Sequence, residues 1–199
     1  AVKVIGQTDL VIAGAALGVA NVREYSIGSA LVTYSATFMT LISRTLFPAL
    51  QKSIARGQIG DAIFFYGRQL RLTLCFAIPV YVGMAVFSKT FIWLWMFQEG
   101  FGENAVFASA RVMMILAIAA LPLAFIRPSI SFLSSSGYVK FTALISIFEA
   151  VVNLALSLIF VFVFHWGLVG IALGTLVARV LIPSLWIQIG RASCRERVC

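Results

Sequence analysis

Residues 141–164 read FTALISIFEAVVNLALSLIFVFVF and contain a single charged residue, Glu149. A helix needs about 20 predominantly apolar residues to cross the hydrocarbon core of a bilayer, so this stretch predicts a transmembrane helix. Similar stretches occur on both sides of it, at residues 26–50, 72–87, 105–132 and 167–187. A shorter stretch that ends near Ala16 predicts the last turns of an earlier helix. The chain is therefore expected to be an all-α, polytopic membrane helix bundle with five full spans and a partial one.

The composition also indicates a membrane protein. Of the 199 residues, 61% are apolar and 11% are charged, whereas a soluble domain is about half apolar and about a quarter charged. A protein of this size exposes a large share of its surface, so the excess of apolar side chains requires lipid as the solvent. The composition excludes a disordered or disulfide-rich chain and argues against a self-contained soluble enzyme.

Residues 189–199, IGRASCRERVC, form an abrupt basic tail on this apolar chain. The codons ATC GGA AGA GCG TCG TGT AGG GAA AGA GTG of a familiar sequencing adapter encode residues 189–198. We therefore interpret residues 189–199 as an adapter-derived artefact and residues 1–188 as the transmembrane domain, with a genuine basic juxtamembrane tail as the alternative.

The chain also opens without Met, so we expect an internal fragment of a longer protein. Outside the tail only Cys75 remains, and no disulfide framework, metal site or cofactor is expected.

The distribution of Lys and Arg predicts the orientation, because short cytoplasmic loops collect basic residues. Residues 51–71 should form a cytoplasmic loop, since they carry four basic residues: Lys52, Arg56, Arg68 and Arg71. Alternation then places residues 19–24, 88–104 and 165–167 outside and residues 137–140 inside. The Trp-rich segment 91–97 is too short to span and predicts an interfacial segment. No aromatic side chains interleave with the basic ones, so no nucleic-acid partner is expected.

Polar side chains follow one face of the first full span. They recur at steps of three and four residues, which places them on a single arc of a helix: Ser26, Ser29, Thr33, Thr37, Thr40 and Arg44. We interpret Thr33, Thr37, Thr40 and Arg44 as lining a substrate cavity. The alternative is plain helix packing, because hydroxyl groups in membrane helices often bond to backbone carbonyls.

A second polar face occupies the span at residues 141–164. Its members are Thr142, Ser146, Glu149, Asn153 and Ser157. Because an ionisable side chain at bilayer depth faces a bundle interior or a wet cavity, Glu149 is not expected to face lipid. The face is either an interhelical hydrogen-bond cluster or a site for protons, sodium or a polar substrate. We assign Asn153 to the cavity and Glu149 to ion coupling on the second interpretation.

The intramembrane arginines favour an anionic substrate. Arg127 lies beside Pro128 near the end of the chain's third full span and is the best candidate for a buried cation. Together with Arg44, and with Arg111 as a further contributor, it would give a cavity suited to pyrophosphate, which guanidinium groups bind bidentately. For Arg111 and Arg179, snorkelling to the interface is the simpler interpretation. Asp9 is either an ion-coupling carboxylate or a partner of one of these arginines.

Two patterns of small residues predict close helix packing, because small-xxx-small spacing lets helix backbones approach. The first consists of Gly14 and Gly18, and the second of Gly170, Gly174 and Ala178.

Several motifs, in order along the chain, resemble the polysaccharide-exporting flippases of the multidrug/oligosaccharidyl-lipid/polysaccharide exporter superfamily. The start of the chain, residues 8–12 with Gly14 and Gly18 and then residues 24–26, is similar to the beginning of the family's seventh helix. The remaining matches are Phe47-Pro48-Ala49 before a basic loop, Pro79, the Ser-Gly-Tyr-Val-Lys turn at 136–140, Asn153, and residues 167–172.

This resemblance implies a transporter with two six-helix lobes, of which the chain is most of the second. Such a protein flips undecaprenyl-pyrophosphate-linked oligosaccharide across the bacterial inner membrane by alternating access, and is not an enzyme. The implied partners are that lipid-linked substrate, membrane lipid and the missing N-terminal lobe, without which the fragment should not transport. By position, Asp9, Arg44, Arg127 and Glu149 would face the inside of the lobe.

Three other functions are open. A multidrug extruder of the same superfamily would favour acidic and aromatic residues around organic cations, and the arginines argue against it. A lipid II or sporulation-type flippase differs only in sequence beyond this fragment. A glycan polymerase or ligase usually needs a large external loop with catalytic residues, whereas the longest predicted external loop here covers only residues 88–104.

Overall fold

A computed structural model describes residues 9–15, 18–96 and 102–181, and these residues form seven helices and no strand. In chain order the helices are α1 (residues 9–15), α2 (Val19–Ala55), α3 (Ile59–Val86), α4 (Ser88–Met96), α5 (Glu103–Ser135), α6 (Val139–Phe162) and α7 (Gly167–Leu181). The expected all-α, polytopic helix bundle is confirmed. The proposed artefact at residues 189–199 lies outside the described residues.

Four of these helices are long and apolar enough to cross a membrane: α2, α3, α5 and α6. They correspond to the first four predicted full spans. The described part of α7 is apolar but shorter, and the remainder of the span predicted to end at residue 187 lies outside the described residues. The short helix α1 coincides with the predicted partial span.

Three predicted loops are wrong at least in part, because the chain there is helical. Residues 88–96 of the predicted external loop 88–104 form α4, and α5 begins at Glu103. Within residues 51–71, only residues 56–58 interrupt the helices, at a turn where Gly57 adopts a φ of 70°. Residues 19–24 likewise belong to α2, which begins after Gly18. Hydropathy indicates which residues lie in the hydrocarbon core, but it does not indicate where a helix ends. Gln, Lys and Arg are good helix formers, so a helix can continue through them into the membrane interface. Helices α2 and α5 therefore extend beyond their apolar stretches at both ends, and α3 and α6 extend beyond theirs at the N-terminal end.

Helix α5 is the centre of the bundle and packs against α2, α3, α4 and α6. Its buried side includes a series of small residues: Ala110, Ala117, Ala119, Ala120 and Ala124. Small side chains let backbones approach closely in membrane helix pairs. The tightest such approach involves Gly28 of α2, where a Cβ atom would lie 2.5 Å from the backbone oxygen of Ser109.

The two ends of the bundle differ in their side chains. Tyr66 near the start of α3 contacts Ser129 and Phe132 near the end of α5, so the α2–α3 and α5–α6 turns lie at one end. This basic end carries Lys52, Arg56, Arg68, Arg71 and Lys140. The opposite, aromatic end carries the exposed Trp93 and Trp95 of α4 and Trp166 at the α6–α7 turn. This arrangement agrees with the predicted alternation of the loops, and interfacial Trp is typical of membrane proteins.

We predict that replacing Gly28 with Ala weakens the α2–α5 packing. The added methyl group would overlap the Ser109 carbonyl oxygen and the Val112 side chain, and relieving such overpacking costs about 1–3 kcal/mol of unfolding free energy. Gly83→Ala is the matched control, because it also lies within a long helix and its Cβ would meet nothing within 4 Å. Thermal unfolding in detergent should show a lower midpoint for Gly28→Ala alone; equal midpoints would contradict the close approach.

Candidate functional site

A cavity of about 540 Å³ lies between α1, α2, α5 and α7. Helix α2 supplies the longest wall, α5 supplies the opposite wall, and α1 and α7 close one part of it. The apolar part of the lining includes Val32, Leu41, Leu116, Ala120 and Leu123. The polar part consists of Asp9, Tyr25, Ser29, Thr33, Thr37, Thr40, Arg44, Arg127, Thr175 and Arg179.

The polar face predicted on the first full span lies along this cavity, apart from Ser26, which is not part of the lining. The hydroxyl groups of Thr37 and Thr40 donate to the carbonyl oxygens of Thr33 and Ala36, at 2.9 and 2.8 Å. The hydroxyl protons of Thr37 and Thr40 are thus satisfied within the helix, while their side chains line the cavity. The hydroxyl oxygens keep lone pairs that can accept hydrogen bonds.

Three arginines line the cavity: Arg44 of α2, Arg127 of α5 and Arg179 of α7. The Arg127 guanidinium crosses to α2 and donates to Oγ1 of Thr40. The Nε of Arg179 is buried and has no hydrogen-bond partner among the described residues. The interpretation of Arg179 as a snorkelling side chain is wrong, because α7 turns this residue toward the cavity.

Arg111 does not contribute to this lining. It is exposed and lies in a separate, smaller depression with Asn104, Phe107 and Ala108. The further contribution of Arg111 to a cationic cavity is therefore wrong, because residue 111 lies on the outer side of α5, away from α2 and α7.

Asp9 is the hub of a buried hydrogen-bond cluster. The Asp9 side chain is only 2% exposed, and its carboxylate accepts hydrogen bonds from Oη of Tyr25 at 3.0 Å, Nδ2 of Asn153 at 3.0 Å and Oγ1 of Thr175 at 2.9 Å. These donors come from α2, α6 and α7. One carboxylate on α1 therefore joins four helices at the wall of the cavity.

Asn153 lies behind Asp9 and is not part of the cavity lining. Its Oδ1 atom and the Oγ atom of Ser157, one turn along α6, are buried without a hydrogen-bond partner among the described residues. Helix α7 packs closely on this face, since a Cβ atom on Gly174 would lie 2.7 Å from the Oγ of Ser157. This contact explains the predicted packing role of Gly174, because a larger residue at position 174 would push α6 away from α7.

Glu149 occupies a different position from Asp9. It is partly buried on α6, does not line the cavity and forms no hydrogen bond or ion pair within the described part of the chain. Its charge interacts at longer range with Arg179 and Arg127. The two candidate carboxylates thus differ: Asp9 is held by three hydrogen-bond donors, whereas Glu149 has none among the described residues.

Sequence reasoning missed two members of the site, Tyr25 and Thr175. Thr175 precedes Arg179 by four residues, which places both on one face of α7, so their spacing was a usable signal. Tyr25 had no such signal, because a tyrosine near a helix start is more often an interfacial anchor.

Comparison with known proteins gives two results. A family model described as lipid II flippase MurJ matches residues 9–195 of the chain. A solved structure of a MOP superfamily transporter from Pyrococcus furiosus, whose binding pocket is described as having reverse polarity, is similar with a TM-score of 0.76 at 19% sequence identity. The similarity covers 92% of this chain and 41% of that transporter, so the chain spans less than half of its length. No curated protein matches the chain.

We predict that Asp9→Asn destabilises the protein. All three groups that contact the carboxylate donate hydrogen bonds, and replacing one acceptor oxygen with an NH2 group removes the acceptor that the Tyr25 and Thr175 hydroxyls share, or the one that Asn153 uses. A buried polar group left without its partner costs about 1–3 kcal/mol. Thermal unfolding should show a lower midpoint than in the isosteric control Glu149→Gln, which breaks no hydrogen bond within the described chain. A loss no larger than in this control would contradict the hub role of Asp9.

Proposed function

Because the chain belongs to the family of the lipid II flippase MurJ, we propose that it forms one lobe of a transporter that flips a polyprenyl-pyrophosphate-linked glycan across the bacterial inner membrane. Residues 1–188 would be the C-terminal lobe and residues 189–199 an artefact. The structural similarity, which covers nearly all of this chain and under half of a superfamily transporter, supports the assignment to one lobe.

The observation that carries the proposal is the charge of the cavity. Arg44, Arg127 and Arg179 line it together with a single carboxylate, that of Asp9. The pyrophosphate of a lipid-linked glycan is anionic, and the guanidinium fork matches phosphate oxygens. An extruder of organic cations would need the opposite balance. The cavity therefore favours a phosphate-bearing head group.

The hydroxyl groups of α2 suit the sugar part of such a head group. Ser29, Thr33, Thr37 and Thr40 continue from Arg44 along the cavity wall, and their free lone pairs can accept hydrogen bonds from sugar hydroxyls. In this arrangement the arginines hold the pyrophosphate, while the lipid tail stays in the bilayer.

Transport would then require the second lobe. A charged head group cannot cross hydrocarbon unaided, because its desolvation is too costly. Rocking of two lobes about a shared central cavity opens the site alternately to each side of the membrane. The described helices would supply the cationic wall that receives the head group in both states.

Two substrate classes meet this chemistry, a lipid-linked oligosaccharide of the O-antigen or teichoic acid type and lipid II. Both carry a polyprenyl pyrophosphate, and the cavity lining gives no basis for separating their sugars. The matched family favours lipid II, and we take it as the preferred substrate.

For ion coupling, Asp9 is the better of the two candidate carboxylates. It lies at the cavity wall and links four helices, and the Oδ1 of Asn153 and the Oγ of Ser157 nearby are unpartnered acceptors. A proton or a monovalent cation bound at this cluster would change the hydrogen bonds that hold α1, α2, α6 and α7 together. Binding there can therefore bias the shape of the lobe.

We predict that Arg44→Gln and Arg127→Gln each weaken transport in the full-length protein. Loss of a charge-assisted hydrogen bond of about 1.5–3 kcal/mol corresponds to about a ten- to hundredfold loss of head-group affinity. Flipping of lipid II and of a lipid-linked O-antigen unit in proteoliposomes measures the effect and distinguishes the two substrates. Arg71→Gln is the control, because Arg71 is exposed on α3 outside the cavity. Undiminished flipping by both cavity variants would overturn the cationic site.

We also predict that Asp9→Asn removes the dependence of flipping on an ion gradient, whereas Glu149→Gln retains it. Flipping would be measured in proteoliposomes with an imposed proton or sodium gradient and again without one, after normalising for folded protein. An Asp9→Asn variant that still responds fully to the gradient would contradict the coupling role.

A further inference from the structure

The aromatic end of the bundle carries a groove between α4 and α5 that lies outside the transport cavity. Two adjacent depressions of about 340 and 350 Å³ meet there, and both are bordered by the ring of Phe107. Lys89 and Trp93 of α4 border one of them, and Arg111 of α5 borders the other. We call this surface the α4–α5 groove.

Within the described part of the chain, the two cations of the groove have no ion-pair partner. The Nζ of Lys89 lies 4.3 Å from the centre of the Phe107 ring, and Arg111 follows Phe107 by one helical turn. Both side chains are exposed, and neither forms an ion pair with a carboxylate among the described residues. Glu103 also borders the groove and is exposed. The two cations of the groove therefore outnumber this carboxylate.

The position of Arg111 along the membrane normal determines which anionic groups can neutralise its charge. With 33 residues, α5 is about 50 Å long, which exceeds the hydrocarbon thickness of about 30 Å by about 10 Å at each end. Arg111 lies eight residues after Glu103, about 12 Å along the helix, and so close to the boundary between hydrocarbon and head groups. A cation at this level on an outer face reaches the phosphate layer of the bilayer.

The surroundings of the groove are apolar and face outward. The exposed aromatic side chains that line the groove are Trp93 of α4, one helical turn after Lys89, and Phe107 of α5. Exposed Trp side chains of membrane proteins are typical of the membrane interface. An occupant of the groove must therefore have an acidic head for Lys89 and Arg111 and acyl chains for the exposed aromatic residues.

We propose that the α4–α5 groove binds the phosphate of an anionic phospholipid at the aromatic end of the protein, with Lys89 and Arg111 on either side of Phe107. This site is separate from the cavity of the proposed function and belongs to the surrounding bilayer. Lipid held there would fix α4 against the first turns of α5, with which α4 is already in contact.

The test uses the full-length protein and phosphatidylglycerol, with binding measured by native mass spectrometry and phosphatidylcholine as the neutral reference lipid. The unmodified protein should retain phosphatidylglycerol in preference to phosphatidylcholine. Lys89→Gln and Arg111→Gln should each weaken phosphatidylglycerol binding about fivefold, the effect of about 1 kcal/mol per basic residue near a lipid surface. Glycerol phosphate without acyl chains should not compete.

Arg23→Gln is the matched control, because it removes one exposed cation at the same end of the bundle but outside the groove. Lys89→Arg and Arg111→Lys keep the charge and should bind phosphatidylglycerol nearly as the unmodified protein does. Equal retention of the two lipids by the unmodified protein, or equal losses in the Arg23 and groove variants, would overturn the proposal. Competition by free glycerol phosphate would overturn it as well, since it would indicate a site for soluble phosphate.

Discussion

The arrangement of the cavity depends on one buried carboxylate. A charged group inside a membrane protein is costly unless other groups satisfy it, and Asp9 is satisfied by three donors from three other helices. This requirement explains why α1, α2, α6 and α7 meet at one point, where Ile12 and Ala13 of α1 also join the hydrophobic core. Where they converge, Thr175 and Arg179 of α7 turn toward α2, and the cavity obtains its third arginine.

Helix α5 supplies the complementary constraint. Its alanine-rich side and the Gly28 contact bring α2 and α5 together at the aromatic end. Farther along the two helices, Arg127 reaches across to Thr40 over a gap that the cavity occupies. The cavity is therefore bounded by close helix packing at one end and by the hydrogen bond between Arg127 and Thr40 at the other. Such a space suits the anionic head group of the proposed substrate, because its arginines can pair with phosphate oxygens.

Much of this arrangement could be predicted from the sequence, since periodicity is a local property. The spacing from Ser29 to Arg44 is enough to place these residues on one face, and the apolar stretches are enough to locate four spans. The helix ends were less accessible, because hydropathy does not report where a helix stops outside the hydrocarbon, as at residues 51–71. The distinction between Arg179 and Arg111 was not accessible at all. Both are arginines within apolar stretches, and only the packing of α7 and α5 decides which of them faces the cavity.

The cavity-lining Arg127 and the outward-facing Arg111 obey the same physical rule. Bilayer hydrocarbon tolerates a guanidinium group only where water, a protein partner or a lipid phosphate can reach it. Arg127 meets the rule through the cavity and Thr40, whereas Arg111, on the outer face of α5, has only the head-group layer within reach. Counting every arginine in the apolar stretches therefore overstates the positive charge that a substrate in the cavity would meet. The relevant quantity is the number of guanidinium groups that share one water-accessible space, and in the described part of this chain that space is bounded by Arg44, Arg127 and Arg179.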